Sequence, residues 1–260
     1  MDIISSSQNN MVKKLKLLSS KKGRKRFGEF IVEGAKFVAC IPKSREITGV
    51  FVSESFYNSH EYAEFSEKDA VVLKDNIFSL VCDTITPQGI LAVVKTKEIS
   101  LDELFCDENA FIVIACNLQD PGNLGTLIRT ADAAGASGVI VSMDSADIYS
   151  PKVVRSTAGS LFNIPVVLSD IESEIGLLKQ HKINIIATDL SAEISPYEAD
   201  LRAPLAILIG NEANGLSKEL LGQADLRVKL PMIGKAESLN ASVASGVLMY
   251  EVLRQRMAGK

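Results

Sequence analysis

The chain has 260 residues, 47% of them apolar and 23% charged, with a formal net charge of -4. That length exceeds one ordinary domain and the composition is that of a globular protein, so one large or two modest domains are expected, each with its own core. Cys40, Cys82, Cys106 and Cys116 show no CxxC spacing and only His60 and His181 are available to join them, which argues against a disulfide framework or a metal site and fits a reducing cytoplasm. The opening "MDIISSSQNN" lacks the basic-then-apolar order of a signal peptide, and no apolar run approaches the roughly 20 residues that span a bilayer.

The net charge hides an asymmetry. Residues 1–45 carry 11 basic and 3 acidic side chains, a balance of +8, against -12 for the remainder. In "NNMVKKLKLLSS", Met11, Val12, Leu15 and Leu18 form one helical stripe with the lysines mostly off it. A basic cluster around Gly23 follows and reads as a loop. Lys13, Lys14, Lys21, Lys22, Arg24, Lys25 and Arg26 are the candidate phosphate-binding residues, provided something else points to RNA.

β-like and helical runs then alternate: "FIVEG", helix "AKFVACI", "ITGVFVS", helical "SHEYAEFSEK", "AVVLK", helix "DNIFSLVCD" and "GILAVVKT". This predicts an α/β domain over residues 1–97, with a linker at 98–108 in the polar stretch after it. From 109 to 260 the alternation resumes, with "AFIVIAC", "GVIVS", "PVVLS", "INIIATDL", "PLAILIG" and "LRVKLPM" as strands and a long final helix. These strands are apolar on both faces, as in a parallel sheet covered by helices, and ligands of such folds collect at the carboxyl ends of strands.

Three loops follow apolar runs. "ACNLQDPGNLGTLIR" makes a turn that opens a helix carrying Arg129, but it matches neither GxGxxG nor a phosphate-binding P-loop. In "AILIGNEANGLS", Gly210 and Gly215 bracket Asn211, Glu212 and Asn214. In "VKLPMIGKAESLNASVASGV", Ser238 or Asn240 can cap the last helix beside an apolar lining of Leu230, Met232, Ile233 and Leu239. Each loop alone is ordinary turn chemistry; the weight lies in the three together.

In order and spacing, "DPGNLGTLIRTADAAG", "LIGNEANGLS" and "LPMIGKAESLNASVASGVLMYEVLRQ" resemble the three motifs of the SpoU (TrmH) methyltransferases of the SPOUT superfamily. The first half resembles the substrate-binding domain often fused to them. The resemblance implies an α/β chain in two parts. One is a smaller N-terminal ribosomal-protein-like RNA-binding domain. The other is a C-terminal α/β-knot domain with a trefoil knot, which no general topology rule would propose. It also implies a homodimer, S-adenosyl-L-methionine as methyl donor, and a ribose 2'-hydroxyl of structured RNA as acceptor, with ribosomal RNA favoured. By position, Asn123, Arg129, Glu212, Ser238 and Asn240 are the expected catalytic set. Gly210, Leu230 and Leu239 are the expected cofactor contacts, with Asn211, Met232 and Ile233 beside them.

Methyl transfer needs an oxygen nucleophile in line with a sulfonium methyl, and positioning alone supplies much of the acceleration. An arginine is not normally deprotonated, its pKa being about 12.5 to 13.8. Arg129 is therefore expected to clamp a phosphate and stabilise developing alkoxide rather than act as a base. A transfer-RNA 2'-O-methyltransferase is the nearest alternative. A non-catalytic RNA-binding or ribosome-assembly protein is the alternative from another class, against which the complete polar set argues.

Overall fold

A computed structural model describes residues 3–105 and 108–259, so Cys106 and part of the expected linker lie outside the described residues. The first elements along the chain are helices α1 (Asn10–Leu18) and α2 (Lys21–Phe27), strand β1 (Glu29–Glu33), helix α3 (Ala35–Ala39) and strand β2 (Ile47–Ser53). Helix α4 (Glu54–Tyr57), strand β3 (Ala70–Leu73), helix α5 (Asp75–Ser79) and strand β4 (Ile90–Lys95) follow. Next come β5 (Phe111–Ala115), α6 (Pro121–Ala133), β6 (Gly138–Ser142), α7 (Pro151–Ser156), β7 (Val166–Ser169) and α8 (Ile171–Gln180). The last are β8 (Asn184–Thr188), β9 (Leu205–Ile209), α9 (Lys218–Gln223), β10 (Leu226–Val228) and α10 (Ala241–Ala258). They form two compact units, Met1–Lys97 with Asp147–Phe162, and Glu98–Ala146 with Asn163–Lys260. The segment 147–162, which the sequence places in the C-terminal half, thus packs with the first unit.

The first unit is built on a four-stranded sheet in the order β1-β4-β2-β3, antiparallel except for the β2–β3 pair. Val12, Leu15 and Leu18 of α1 pack into a core with Ile31, Phe51, Leu73, Phe78 and Leu91. Met11, expected on the same stripe, is 48% exposed. The basic cluster is a helix rather than a loop. Ser20 caps α2 by accepting the Gly23 N–H, and Gly28 ends it at φ 62. Gly23 is there for space: a Cβ would stand 1.8 Å from the Leu17 carbonyl oxygen. The expected helix in "SHEYAEFSEK" is a 3-10 helix over His60–Phe65.

Arg24 anchors this corner. Its Nε and Nη2 donate to Asp147 Oδ2 at 3.0 and 2.6 Å, and Nη1 donates to the Leu18 and Ser19 carbonyls at 2.8 and 2.7 Å. The guanidinium thereby satisfies carbonyls at the end of α1 that the helix leaves open. Within the same unit Phe30 packs against Tyr149 and Phe162, and Arg155 pairs with Asp83 at 2.7 Å.

The second unit holds a six-stranded, all-parallel sheet in the order β10-β8-β9-β5-β6-β7. Ile112, Ile114, Ile140, Ile185 and Leu208 cluster with Ile175 and Leu178 of α8 and Leu220 of α9. Alternation sends Phe111, Val113 and Ala115 to the other face. Arg256 of α10 lies over the Phe111 ring on that face, and α10 packs against α6. The apolar runs read from the sequence are strands because both faces are covered. Among the described residues no helix is long and apolar enough to cross a membrane, and no group of three or more His, Cys, Asp or Glu residues is placed to hold a metal ion.

Candidate active site

The site lies at the carboxyl ends of the parallel strands of the second unit. After β5 the chain turns at Asn117, whose φ is 54, and enters α6 through Asp120 and Pro121. Proline suits the first helical position because its missing N–H is one the helix would leave unbonded. Asp120 Oδ1 accepts the Asn123 backbone N–H at 2.8 Å, which fixes Asn123 in the first turn.

From Asn123 a chain of side-chain hydrogen bonds joins all three loops. Asn123 Nδ2 donates to Glu212 Oε1 at 3.0 Å, and Asn240 Nδ2 donates to Asn123 Oδ1 at 2.9 Å. Asn240 Oδ1 in turn accepts the Ser242 and Val243 backbone N–H groups at 2.9 and 3.3 Å, capping α10. Ser242 Oγ donates to Asn240 Oδ1 at 2.6 Å. The amide orientations follow from chemistry. Helix N–H groups only donate and a carboxylate only accepts, so both amides must point their NH2 groups toward Glu212. Burial pushes the Glu212 carboxyl up, but hydrogen bonds from Asn123, its own backbone, Gln119 and Asp120 outweigh this and hold it below the usual range.

The second loop is shaped by its own backbone. Asn211 and Gly215 exchange N–H to carbonyl bonds of 3.0 and 2.9 Å, and a Cβ on Gly210 would come within 2.4 Å of the Gly215 carbonyl carbon. Asn211 Nδ2 donates to the Asn117 carbonyl at 2.8 Å and its Oδ1 accepts from Ala213 and Asn214, so this side chain sets the loop's shape. The second and third loops border a cavity of about 470 Å3, within the usual range of about 300 to 1,000 Å3 for small-molecule sites, and the first loop is tied to it through the Asn123–Glu212 hydrogen bond. Gly210, Asn211, Glu212, Leu230, Met232, Ser238 and Leu239 all line it. A second cavity of about 430 Å3 opens beyond the same loop, and Asn211 alone of the expected site residues reaches it.

Three expected members need separate mention. Ile233 is 98% exposed and does not line the cavity, which corrects its placement in the apolar lining. Ser238 lines the cavity but does not cap α10; Asn240 does. Arg129 is exposed and has no hydrogen bond or ion pair to any described residue. Six residues past Asn123 on α6, it lies about 9 Å further along the axis and about 120° around it.

In the first unit, Lys13, Lys21, Lys22, Lys25 and Arg26 are exposed, Arg26 lying 5.3 Å from the Phe27 ring centre. Lys14 is drawn into an ion pair of 2.6 Å with Glu29. Arg24 is 5% exposed and its donors are committed, which removes it from the surface available to phosphate. Two contributors escaped the sequence. Ser242 was legible only as a second small polar residue after Asn240, and Asp189 only as a lone acid after an apolar run.

With this geometry in place, comparison with known proteins adds a second line of observation. The SpoU rRNA Methylase family model matches residues 110–250, and the MRM3-like substrate binding domain matches residues 9–92. The chain is 35% identical over 249 residues to the 23S rRNA (guanosine(2553)-2'-O)-methyltransferase RlmP of Bacillus subtilis, covering 96% of this chain and 98% of that one. It is 31% identical to the 23S rRNA (uridine(2479)-2'-O)-methyltransferase of Streptomyces viridochromogenes, over 94% and 89% of the two chains. The crystal structure of the SpoU methyltransferase AviRb from the same organism, in complex with AdoMet, matches with a TM-score of 0.90 at 30% identity, covering 97% of this chain and all of that one.

Proposed function

Because the chain belongs to the SpoU rRNA methylase family, we infer that it is an S-adenosylmethionine-dependent methyltransferase acting on a ribose 2'-hydroxyl of ribosomal RNA. The observation that carries this reading is the Glu212–Asn123–Asn240 chain, anchored through Glu212 in the lining of a cavity of cofactor size. A binding protein has no use for three loops locked together by oriented amides beside such a cavity. The residues present fit S-adenosylmethionine: Leu230, Met232 and Leu248 offer apolar surface, while Gly210 lets the loop backbone close tightly.

The bound cofactor supplies an electrophilic sulfonium methyl; the chain supplies position and charge. Asn123 and Asn240 hold their amides in one orientation, so a ribose hydroxyl at this edge meets a pre-set hydrogen-bond environment rather than mobile groups. Each neutral hydrogen bond is worth about 0.5 to 1.5 kcal/mol. Glu212, kept ionised by its donors, ties the first loop to the second. Arg129 binds the phosphate next to the target ribose and stabilises negative charge growing on the 2'-oxygen, with the proton leaving to phosphate or water.

The proposal extends to the assembly. α10 buries Leu248, Met249 and Val252, yet exposes Val243, Tyr250 and Met257 at seven-residue intervals. A helix apolar on two faces has a second surface to cover, which supports a homodimer through this helix. The lack of any partner for Arg129 among the described residues of its own chain supports a site completed by the second subunit. The trefoil knot belongs to the same proposal, as does action in the cytoplasm. Residues 1–97 take the role of RNA recognition and 109–260 that of methyl transfer, supported by the substrate-binding match and by the exposed lysines of α1 and α2.

Labelled S-adenosylmethionine, the full chain, and purified ribosomal and transfer RNA provide the test. Label is expected in ribose of ribosomal RNA. Label in transfer RNA alone would select the nearest alternative, and absence of both label and cofactor binding would favour a non-catalytic RNA-binding protein.

A further inference from the structure

Asp189 directly follows β8 and lines the cofactor cavity. Its Oδ1 accepts the Ser191 backbone N–H and hydroxyl at 2.9 and 2.8 Å. Its Oδ2 is shielded from solvent and has no hydrogen-bond partner. The nearest cation, Arg227 Nη1, is 3.7 Å away, beyond hydrogen-bond reach, and the Asp189 side chain is only 11% exposed. The Ser191 N–H and hydroxyl hold this carboxyl below its usual range against the effect of burial, with Arg227 and Lys229 adding to them. An ionised oxygen without a hydrogen-bond donor, on a residue that lines a cavity, is a costly arrangement unless a ligand supplies one.

Position narrows the choice of donor. β8 lies beyond β9 from β5, so Asp189 is two strands, about 10 Å, from the loop that carries Asn123. It therefore meets a part of the cofactor remote from the transferred methyl. Two parts of S-adenosylmethionine carry hydrogen-bond donors able to reach it, the methionine ammonium and the ribose hydroxyls. Arg227 and Lys229 make the surroundings of Asp189 positive, which opposes a further cation but not a neutral hydroxyl. Acidic residues at strand ends recognise ribose hydroxyls in other parallel-sheet nucleotide sites by the same geometry.

Resting on the methyltransferase reading, we propose that Asp189 Oδ2 accepts a hydrogen bond from a ribose hydroxyl of the cofactor's adenosine. Asp189 is then a cofactor-recognition residue that takes no part in the transfer step. Calorimetric titration of the full chain with S-adenosylhomocysteine and with 5'-methylthioadenosine, which keeps the ribose but lacks the amino-acid end, tests this. Asp189→Asn, which presents a donor where Oδ2 accepts, is expected to weaken both about tenfold, a change of about 1.4 kcal/mol. An analogue lacking the ribose 2'- and 3'-hydroxyls should lose affinity for the native chain and lose nothing further in Asp189→Asn. Ser191→Ala, which removes a turn hydrogen bond but leaves Oδ2 untouched, should stay within about twofold of native affinity. Loss confined to S-adenosylhomocysteine would assign Asp189 to the ammonium and overturn the proposal. So would equal loss in Ser191→Ala, or native affinities in Asp189→Asn. If the native chain bound neither compound, the methyltransferase reading itself would fail.

Discussion

The two units use polar residues in opposite ways. In the second, Glu212, Asn123 and Asn240 are partnered to each other and to helix N–H groups, so their geometry is set before any ligand arrives. In the first, Lys13, Lys21, Lys22 and Lys25 stand exposed without partners among the described residues, a surface suited to phosphates whose positions vary. Chemistry on a single atom rewards the first arrangement, and binding of an extended polyanion tolerates the second. Arg24 and Arg129 break the pattern from either side. The basic cluster contains a buried structural arginine, and the second unit contains an exposed arginine without a partner among the described residues.

Exchanging those two roles gives the largest expected effects. Arg24→Ala leaves Asp147 unpaired inside the first unit and should cost about 3 to 5 kcal/mol of its stability, read by chemical unfolding. A loss typical of a surface lysine would show that the pair is ornamental. Arg129→Ala should leave melting and cofactor binding unchanged while lowering turnover about 100- to 1,000-fold, as removal of one transition-state donor does. Arg129→Lys sharpens the result: near-normal turnover with unchanged RNA binding would dismiss the bidentate clamp in favour of a simple charge or a base.

Smaller effects probe the locked amides. Asn240→Ala should cost about 1 kcal/mol through loss of the α10 cap and should also lower turnover. Asn240→Asp restores the cap but offers Asn123 Oδ1 no donor, so stability should return while turnover stays low. Recovery of both would reduce Asn240 to a helix cap. On the surface of the first unit, replacing Lys21, Lys22, Lys25 and Arg26 by Gln should lower the salt dependence of RNA binding by about 0.7 to 0.9 in log–log slope for each phosphate no longer neutralised. An unchanged slope would move the RNA surface elsewhere.

The smallest effect is electrostatic. The Glu212 carboxyl titrates below its unfolded value, so its contribution to stability is present above the unfolded pKa of about 4.3 and disappears as pH falls through the folded value. Melting temperatures of the native chain and Glu212→Gln should therefore differ at pH 7 and converge as pH falls below the unfolded value and through the folded one. A constant difference would detach the carboxylate's charge from the loop connection.

Much of the second unit was legible because its code is local. Doubly apolar strands, a proline at the first position of α6 and an asparagine before α10 each carry a physical reason that needs no partner to be known. The first unit was less legible. Gly23 reads as a loop signal in the sequence and proves to be a close approach between helices, and Arg24 looks like its basic neighbours until Asp147, 123 residues away, comes beside it. The same distance hides the membership of 147–162 in the first unit. Removing residues 1–100 would therefore strip that segment of its core, and point substitutions on α2 are the cleaner probe of RNA recognition. Ile233 shows the limit of composition: an apolar residue in an apolar run that stands exposed, outside the cavity lining.

The most direct test is a map of ribose-methylated positions in ribosomal RNA from cells carrying the native chain, the Arg129→Ala chain, or neither. A 2'-O-methyl group is expected with the native chain and should be missing in both other cases. A map identical in all three, or a methyl group found on a base instead of a ribose, would contradict methyl transfer to ribose by this site.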